Sequence, residues 1–210
     1  MKPVRIVILA KAPRPGAVKT RLIPALGADG AAQLAARMLD DSLAAACAAA
    51  VGTVELCASP TLHHPDWQGF HLPAGVVHSV QAEGDLGARM ADAAARTLAA
   101  GESVILSGTD CAEVAPALFR DAARHLHTAD ACIHPTQDGG YALLGLNRFD
   151  ASLFASIRWS TDTVARHTLD RFAALGWQVA VGPMLHDIDE PEDLARMRNP
   201  PTATGRSYNF

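Results

Sequence analysis

A three-layer α/β sandwich with a mostly parallel central sheet is the fold class this sequence predicts, on two observations. Short aliphatic or β-branched runs alternate with longer helical stretches along most of the chain. The first such run, "VRIVILA", feeds directly into "KAPRPGAVKTRL", Lys11 to Leu22, a stiff loop rich in lysine and arginine and free of acids. In open α/β sheets ligands sit outside the carboxyl ends of the strands, often at the loop after the first one.

Strands are expected at Val4–Ala10, Val54–Ser59, Val76–Val80, Ser103–Ser107, Ala131–His134, Tyr141–Gly145 and Trp177–Val181, each bounded by glycine, proline or polar turns. Helices are expected at Ala31–Ala50, Leu86–Ala100, Ala115–His127, Thr161–Leu175 and Pro191–Arg198. The alanine-rich stretch from Ala31 has high helix propensity and sets Leu34, Met38, Leu39 and Leu43 on one face, with Asp29 placed to cap it. "PTLHHPDWQGFHLPAG" reads as a surface connection and "NPPTATGRSYNF" as a loose tail. Residues 1–198 then make one domain and residues 199–210 the tail.

The chain has 210 residues, 49% of them apolar, and a formal net charge of −4. That balance argues against a nucleic-acid partner, so any anion site must be a local concentration of positive charge. No apolar run approaches the length of a membrane span. The scattered Cys47, Cys57, Cys111 and Cys132 fit buried thiols in a reducing cytoplasm better than a disulfide frame or zinc site.

In the first loop Gly16 permits positive φ or close approach to a ligand, while Pro13 and Pro15 hold the loop in shape. Lys11 opens it, and Lys19 and Arg21 are placed to neutralise phosphate oxygens. Val18 and Pro13 stand where a Walker A loop has glycines, so it is not that motif. The alternative is a solvated basic turn.

Asp110, in "SVILSGTDC", follows a buried-looking strand and is either a divalent-metal ligand or a cap for the next helix. In "HDIDEPEDL" an extended backbone would point Asp187 and Asp189 the same way, toward one cation, while Glu190 to Asp193 suit a helix start. Mg²⁺ or Mn²⁺ bound through one or two carboxylates and substrate phosphates needs few protein ligands.

"HPTQDGGYALLGL" is a hairpin by its Asp138-Gly139-Gly140 turn, or an acceptor pocket in which Gln137, Asp138 and Tyr141 bring hydrogen-bonding groups beside the bare backbone of Gly139 and Gly140. In "IRWSTDTVARHTL", Ser160 or Thr161 caps a helix whose start suits an anion, and Trp159 packs in the core or on a ring. "QAEGDLGARM" is a glycine-flanked loop entering a helix, and Gly87 with Gln81, Asp85 and Arg89 is a candidate part of a nucleotide pocket.

"AKAPRPGAVKTRL", "GDLGARM", "GTDC", "DGGYALLGL", "WSTDTV" and "DIDEPEDL" stand in an order that resembles a bacterial family of GT-A-like transferases. Its members are described as radical-SAM/selenodomain-associated transferases or arsenosugar-biosynthesis glycosyltransferases. The wider superfamily is the nucleotide-diphospho-sugar transferases, including 2-phospho-L-lactate guanylyltransferase. The resemblance implies that Lys19 and Arg21 hold nucleotide phosphates and that Asp110 with Asp187 or Asp189 holds the metal. It also implies that the turn from Asp138 to Tyr141 lies on the acceptor side. The sequence departs from glycosyltransferases of this fold in lacking an Asp-x-Asp motif, since Cys111 and Ala112 follow Asp110.

Three functions follow. One is glycosyl transfer from a nucleotide-diphosphate sugar to a small acceptor, with Asp138 as the base. Another is nucleotidyl transfer to a phosphorylated acceptor, with Lys19 and Arg21 stabilising departing pyrophosphate. The last is a nucleotide-binding module without catalysis.

Overall fold

The computed structural model describes residues 2–198, and the expected tail at residues 199–210 lies outside them. The strands are β1 (Val4–Lys11), β2 (Gly52–Ser59), β3 (Val77–Val80), β4 (Ser103–Ser107), β5 (Ala131–Pro135), β6 (Tyr141–Leu146) and β7 (Val179–Val181). They form one sheet in the order β3-β2-β1-β4-β6-β5-β7. All pairs are parallel except those of β6, which runs antiparallel to β4 and β5. Every expected strand is present.

The helices are α1 (Ile23–Ala49), α2 (Leu86–Ala99), α3 (Pro116–His125), α4 (Val164–Ala174) and α5 (Leu194–Arg198). Alternation along β1 separates two cores. Ile6 and Ile8 face Leu39 and Leu43 of α1 and Phe119 of α3, while Val7 faces Met90 of α2 and Phe172 of α4. Helices therefore cover both faces, and the central strands are apolar on each. Burying each such aliphatic side chain contributes about 1.5–3 kcal/mol.

Three local expectations are corrected. The first helix begins at Ile23, upstream of Ala31, and breaks at Gly27, whose φ of 72° is non-helical; Asp29 lies inside the element and is not its N-cap. Helix α4 begins at Val164 behind Thr163, so neither Ser160 nor Thr161 is the cap, and the Thr161 hydroxyl donates to the Arg158 carbonyl. The segment 60–75 is more than a surface connection: Trp67 is buried, tilted against Phe70 and hydrogen-bonded through Nε1 to the Pro60 carbonyl at 2.9 Å. Among the cysteines Cys57, Cys111 and Cys132 are buried, whereas Cys47 is exposed. Among the described residues no helix is long and apolar enough to cross a membrane.

Candidate active site

The chain leaves β1 toward β2 on one side of the sheet and later returns to β4 on the other. That reversal opens a crevice beyond the carboxyl ends of β1 and β4. A cleft of about 610 Å³ occupies it. Lys11, Lys19 and Arg21 line the cleft from the first loop, and Asp110 lines it from the segment after β4. Asp138, Gly140 and Tyr141 reach it from the β5–β6 hairpin, Trp159, Ser160 and Thr161 from the approach to α4, and Asp187 and Asp189 from the segment after β7.

The acids meet because the segment after β7 doubles back on the one after β4. Cys111 and Asp187 form an antiparallel bridge, flanked by Ala112 N to the His186 carbonyl at 2.8 Å and Ile188 N to the Asp110 carbonyl at 2.9 Å. Glu113 fastens the two segments: its carboxylate accepts from the His186 backbone N–H at 3.0 Å and pairs with His186 Nδ1. With α3 capped at Ala115, Asp110 is no helix cap.

Lys19 stands at the centre of these acids. Its side chain is only 5% exposed. The ammonium pairs with Asp110 Oδ1 and donates to Asp189 Oδ1 at 3.1 Å and to the Ile188 carbonyl at 2.7 Å. Burial pushes the Lys19 pKa down, but Asp110 and Asp189 outweigh it and the net shift is upward. Arg21 is exposed and pairs with Glu190 at 3.3 Å, and Arg14 pairs with Asp66 at 3.4 Å. Arg14, Lys19 and Arg21 of the first loop thus face carboxylates.

Asp187 is the least compensated of the acids. Its Oδ1 is buried and has no hydrogen-bond partner among the described residues. Burial, then the charges of Asp110, Asp138 and Asp189, push its pKa up to about 7, with Lys19 opposing. An orphaned carboxylate oxygen beside other carboxylates suits a cation. Yet among the described residues no three of His, Cys, Asp and Glu converge closely enough to hold an ion by themselves. Asp110, Asp187 and Asp189 are not a ready-made three-carboxylate site, because Lys19 stands between two of them.

Asp138 closes the hairpin turn: its Oδ1 accepts from Thr136 Oγ1 at 2.5 Å and from Gly140 N at 3.0 Å. The hairpin and the cleft wall are therefore the same feature. Four glycine and proline expectations shift. Pro15 and Gly16 do not line the cleft; Gly16, with φ of 77°, turns the loop. Gly87 does not line it either: a Cβ there would lie 2.7 Å from both Trp159 Nε1 and the Phe154 carbonyl, so the missing side chain seats the indole. A Cβ on Gly139 would lie 2.1 Å from the Asp162 carbonyl oxygen, so this residue lets the hairpin touch the wall that carries Trp159 to Asp162.

Gln81 and Arg89 do line the cleft, with Gln81 Nε2 donating to the carbonyls of Ala10 at 3.0 Å and Cys57 at 2.9 Å. Glu113 and His186 were not legible as site residues before folding. Their pairing is a contact between segments far apart in the chain, and His186 drew no role although it opens the quoted acidic stretch.

Residues 42–161 match the family described as "Uncharacterized protein conserved in bacteria (DUF2064)". The chain belongs to that family. No curated protein matches it. This DUF2064 chain is similar over nearly its whole length to a solved structure from Desulfovibrio desulfuricans G20, provisionally assigned as a nucleotide-diphospho-sugar transferase. The identity is 29% and the TM-score 0.87, covering 99% of this chain and 92% of that one. Two more distant structures share the fold. Rv0371c from Mycobacterium tuberculosis H37Rv, solved as a complex with manganese, is 18% identical with a TM-score of 0.59, covering 93% and 97%. A CMP:2-keto-3-deoxy-manno-octonic acid synthetase complexed with CTP is 10% identical with a TM-score of 0.58, covering 93% and 96%.

Proposed function

We propose that this DUF2064 chain is a transferase that takes a nucleotide-diphosphate sugar and passes the sugar to a small acceptor in the cytoplasm, with residues 1–198 as its transferase domain. The observation that carries it is the acidic cluster around one buried ammonium, set in a cleft at the reversal of the sheet. The similarity to the D. desulfuricans protein supports the donor class. The likeness to transferases associated with radical-SAM proteins belongs to the same reading.

The nucleoside would lie over the ends of β1 and α2, near Gln81 and Arg89, with its diphosphate directed toward Lys19. Asp187 and Asp110 are the carboxylates that fit Mg²⁺ or Mn²⁺, and a bound ion would neutralise the departing diphosphate. The acceptor would enter between the hairpin turn and Trp159. Asp138 then takes the proton of the attacking hydroxyl as the new bond to the sugar carbon forms and the bond to the diphosphate oxygen breaks. Nucleotidyl transfer asks the first loop to hold pyrophosphate through free cations. Lys19, Arg21 and Arg14 are paired with carboxylates, and the similarity to the D. desulfuricans protein is what favours glycosyl transfer over it.

The test is a melting and calorimetry panel of nucleotide-diphosphate sugars, nucleoside diphosphates and triphosphates, with and without Mn²⁺. A donor at about 100 times its Kd should stabilise the protein by about 2.7 kcal/mol over the ligand-free state, roughly 5–10 °C for a chain of this size, and by more than the bare diphosphate does at the same concentration. Asp110→Asn should lose the metal-dependent part. Preference for an intact triphosphate would transfer the assignment to nucleotidyl transfer, and no shift with any nucleotide would end it.

A further inference from the structure

An ammonium has three N–H donors and no more. At Lys19 all three are committed: to Asp110, to Asp189 and to the Ile188 carbonyl. The side chain is nearly sealed from water, yet Asp110 and Asp189 are each about half exposed to the cleft. The lysine cannot bond a phosphate from this position without releasing one of its partners. A divalent ion engaging Asp110 would sit beside the ammonium already paired with Asp110 Oδ1, and among the described residues no ready-made metal cluster stands elsewhere.

The three partners differ in kind. Ile188 and Asp189 are neighbours in the segment after β7, and Asp110 comes from the segment after β4. Asp110 is also the acid nearest in the chain to the bridge with Asp187, whose Oδ1 lacks a partner. A cation shared by Asp110 and Asp187 would satisfy that oxygen and at the same time repel the ammonium.

We propose that Lys19 is a resident counter-ion of the acidic cluster. It stands where a divalent cation would engage Asp110, so the ion is admitted as Lys19 moves onto the phosphate of an incoming nucleotide. Metal and nucleotide then bind as a coupled pair, and either alone binds weakly. This deepens the metal–nucleotide reading above and rests on it. The loop from residue 12 to residue 22 carries the movement: Gly16 and Lys19 both have positive φ, and Lys19 ties the loop to the segment after β7.

The decisive comparison is Mn²⁺ binding to wild type and to Lys19→Met, measured by calorimetry without nucleotide and again with UDP or GDP. Removing the competing charge should tighten Mn²⁺ binding alone by about tenfold or more, from the Coulomb cost of a neighbouring like charge. The same variant should bind the nucleoside diphosphate at least about tenfold more weakly, because the phosphate loses its ammonium. Opposite signs in one variant distinguish a counter-ion from a structural latch, which would leave Mn²⁺ binding unchanged or weaker.

Hydrogen exchange in the wild-type protein supplies a second reading should the variant fold poorly. Mn²⁺ together with UDP or GDP should change amide exchange across residues 12–22 more than either does alone, and exchange unchanged by the pair would overturn the proposal. If wild type binds Mn²⁺ with nucleotide but Lys19→Met is no tighter for Mn²⁺ alone, the counter-ion role fails by itself. If wild type never binds Mn²⁺, the metal–nucleotide reading fails and takes this one with it.

Discussion

His134 on β5 is fully buried, and neither ring nitrogen has a hydrogen-bond partner among the described residues. Burial, with the charge of His125 adding to it, lowers its pKa to about 4 from an ordinary 6.5. The unfolded chain therefore binds more protons than the folded one between those values. This group's share of stability is intact above about pH 6.5 and drains as the pH falls toward 4. His134→Leu, which buries no polar atoms, should flatten that loss: wild type should shed a few degrees of melting temperature between pH 7 and 5 that the variant keeps. Parallel melting curves across that range would show that acid lability arises elsewhere. Lys19 presents the contrasting case of a buried ionisable group whose bonding capacity is completely filled.

Elements that read clearly in the sequence are those whose signal is local. β4 occupies the expected span, and α2 starts at the expected residue behind the Asp85 cap, whose Oδ1 accepts from Ala88 N at 2.8 Å. The kink at Gly27 and the start of α4 were not legible, because each depends on how the segment docks and not on its own composition. Cleft residues showed where a charged side chain followed a strand, as with Lys19, Asp110 and Asp187. Glu113 and His186 did not, since only folding brings them together. Glycines divide in the same way, and two of them test it. Gly16→Ala meets nothing within 4 Å and suffers only its φ of 77°, about 1 kcal/mol. Gly139→Ala combines a φ of 88° with a backbone oxygen 2.1 Å from the new Cβ, so it should cost at least about 2 kcal/mol more. It should also weaken acceptor-side binding by displacing the Trp159–Asp162 wall. Equal denaturation midpoints for the two variants would remove the hairpin from its proposed place as a rigid support of the cleft.

For the molecule as a whole, the reversal of the sheet that makes the cleft also concentrates its strain of charge. A net charge of −4 is mild over 210 residues, yet Asp110, Asp138, Asp187 and Asp189 face one cleft with a single buried lysine among them. Asp187 bears the consequence, since burial and its three acidic neighbours hold its pKa up at about 7, against 3.8 for an ordinary aspartate. The folded state thus binds this proton more tightly than the unfolded chain does. Its contribution to stability is complete below about pH 3.8 and is lost as the pH rises through 7. Asp187→Asn removes that charge, so without metal the variant should be the more stable protein above pH 7, by about 2 kcal/mol or roughly 5 °C. The advantage should shrink as the pH falls and vanish near pH 4. Mn²⁺ with a nucleoside diphosphate should reverse the order, raising the melting temperature of wild type well above that of the variant. A variant less stable than wild type at pH 8 without metal would mean that Asp187 supports the fold through contacts of its own, and the cleft would no longer be a place where stability is given up for cation binding.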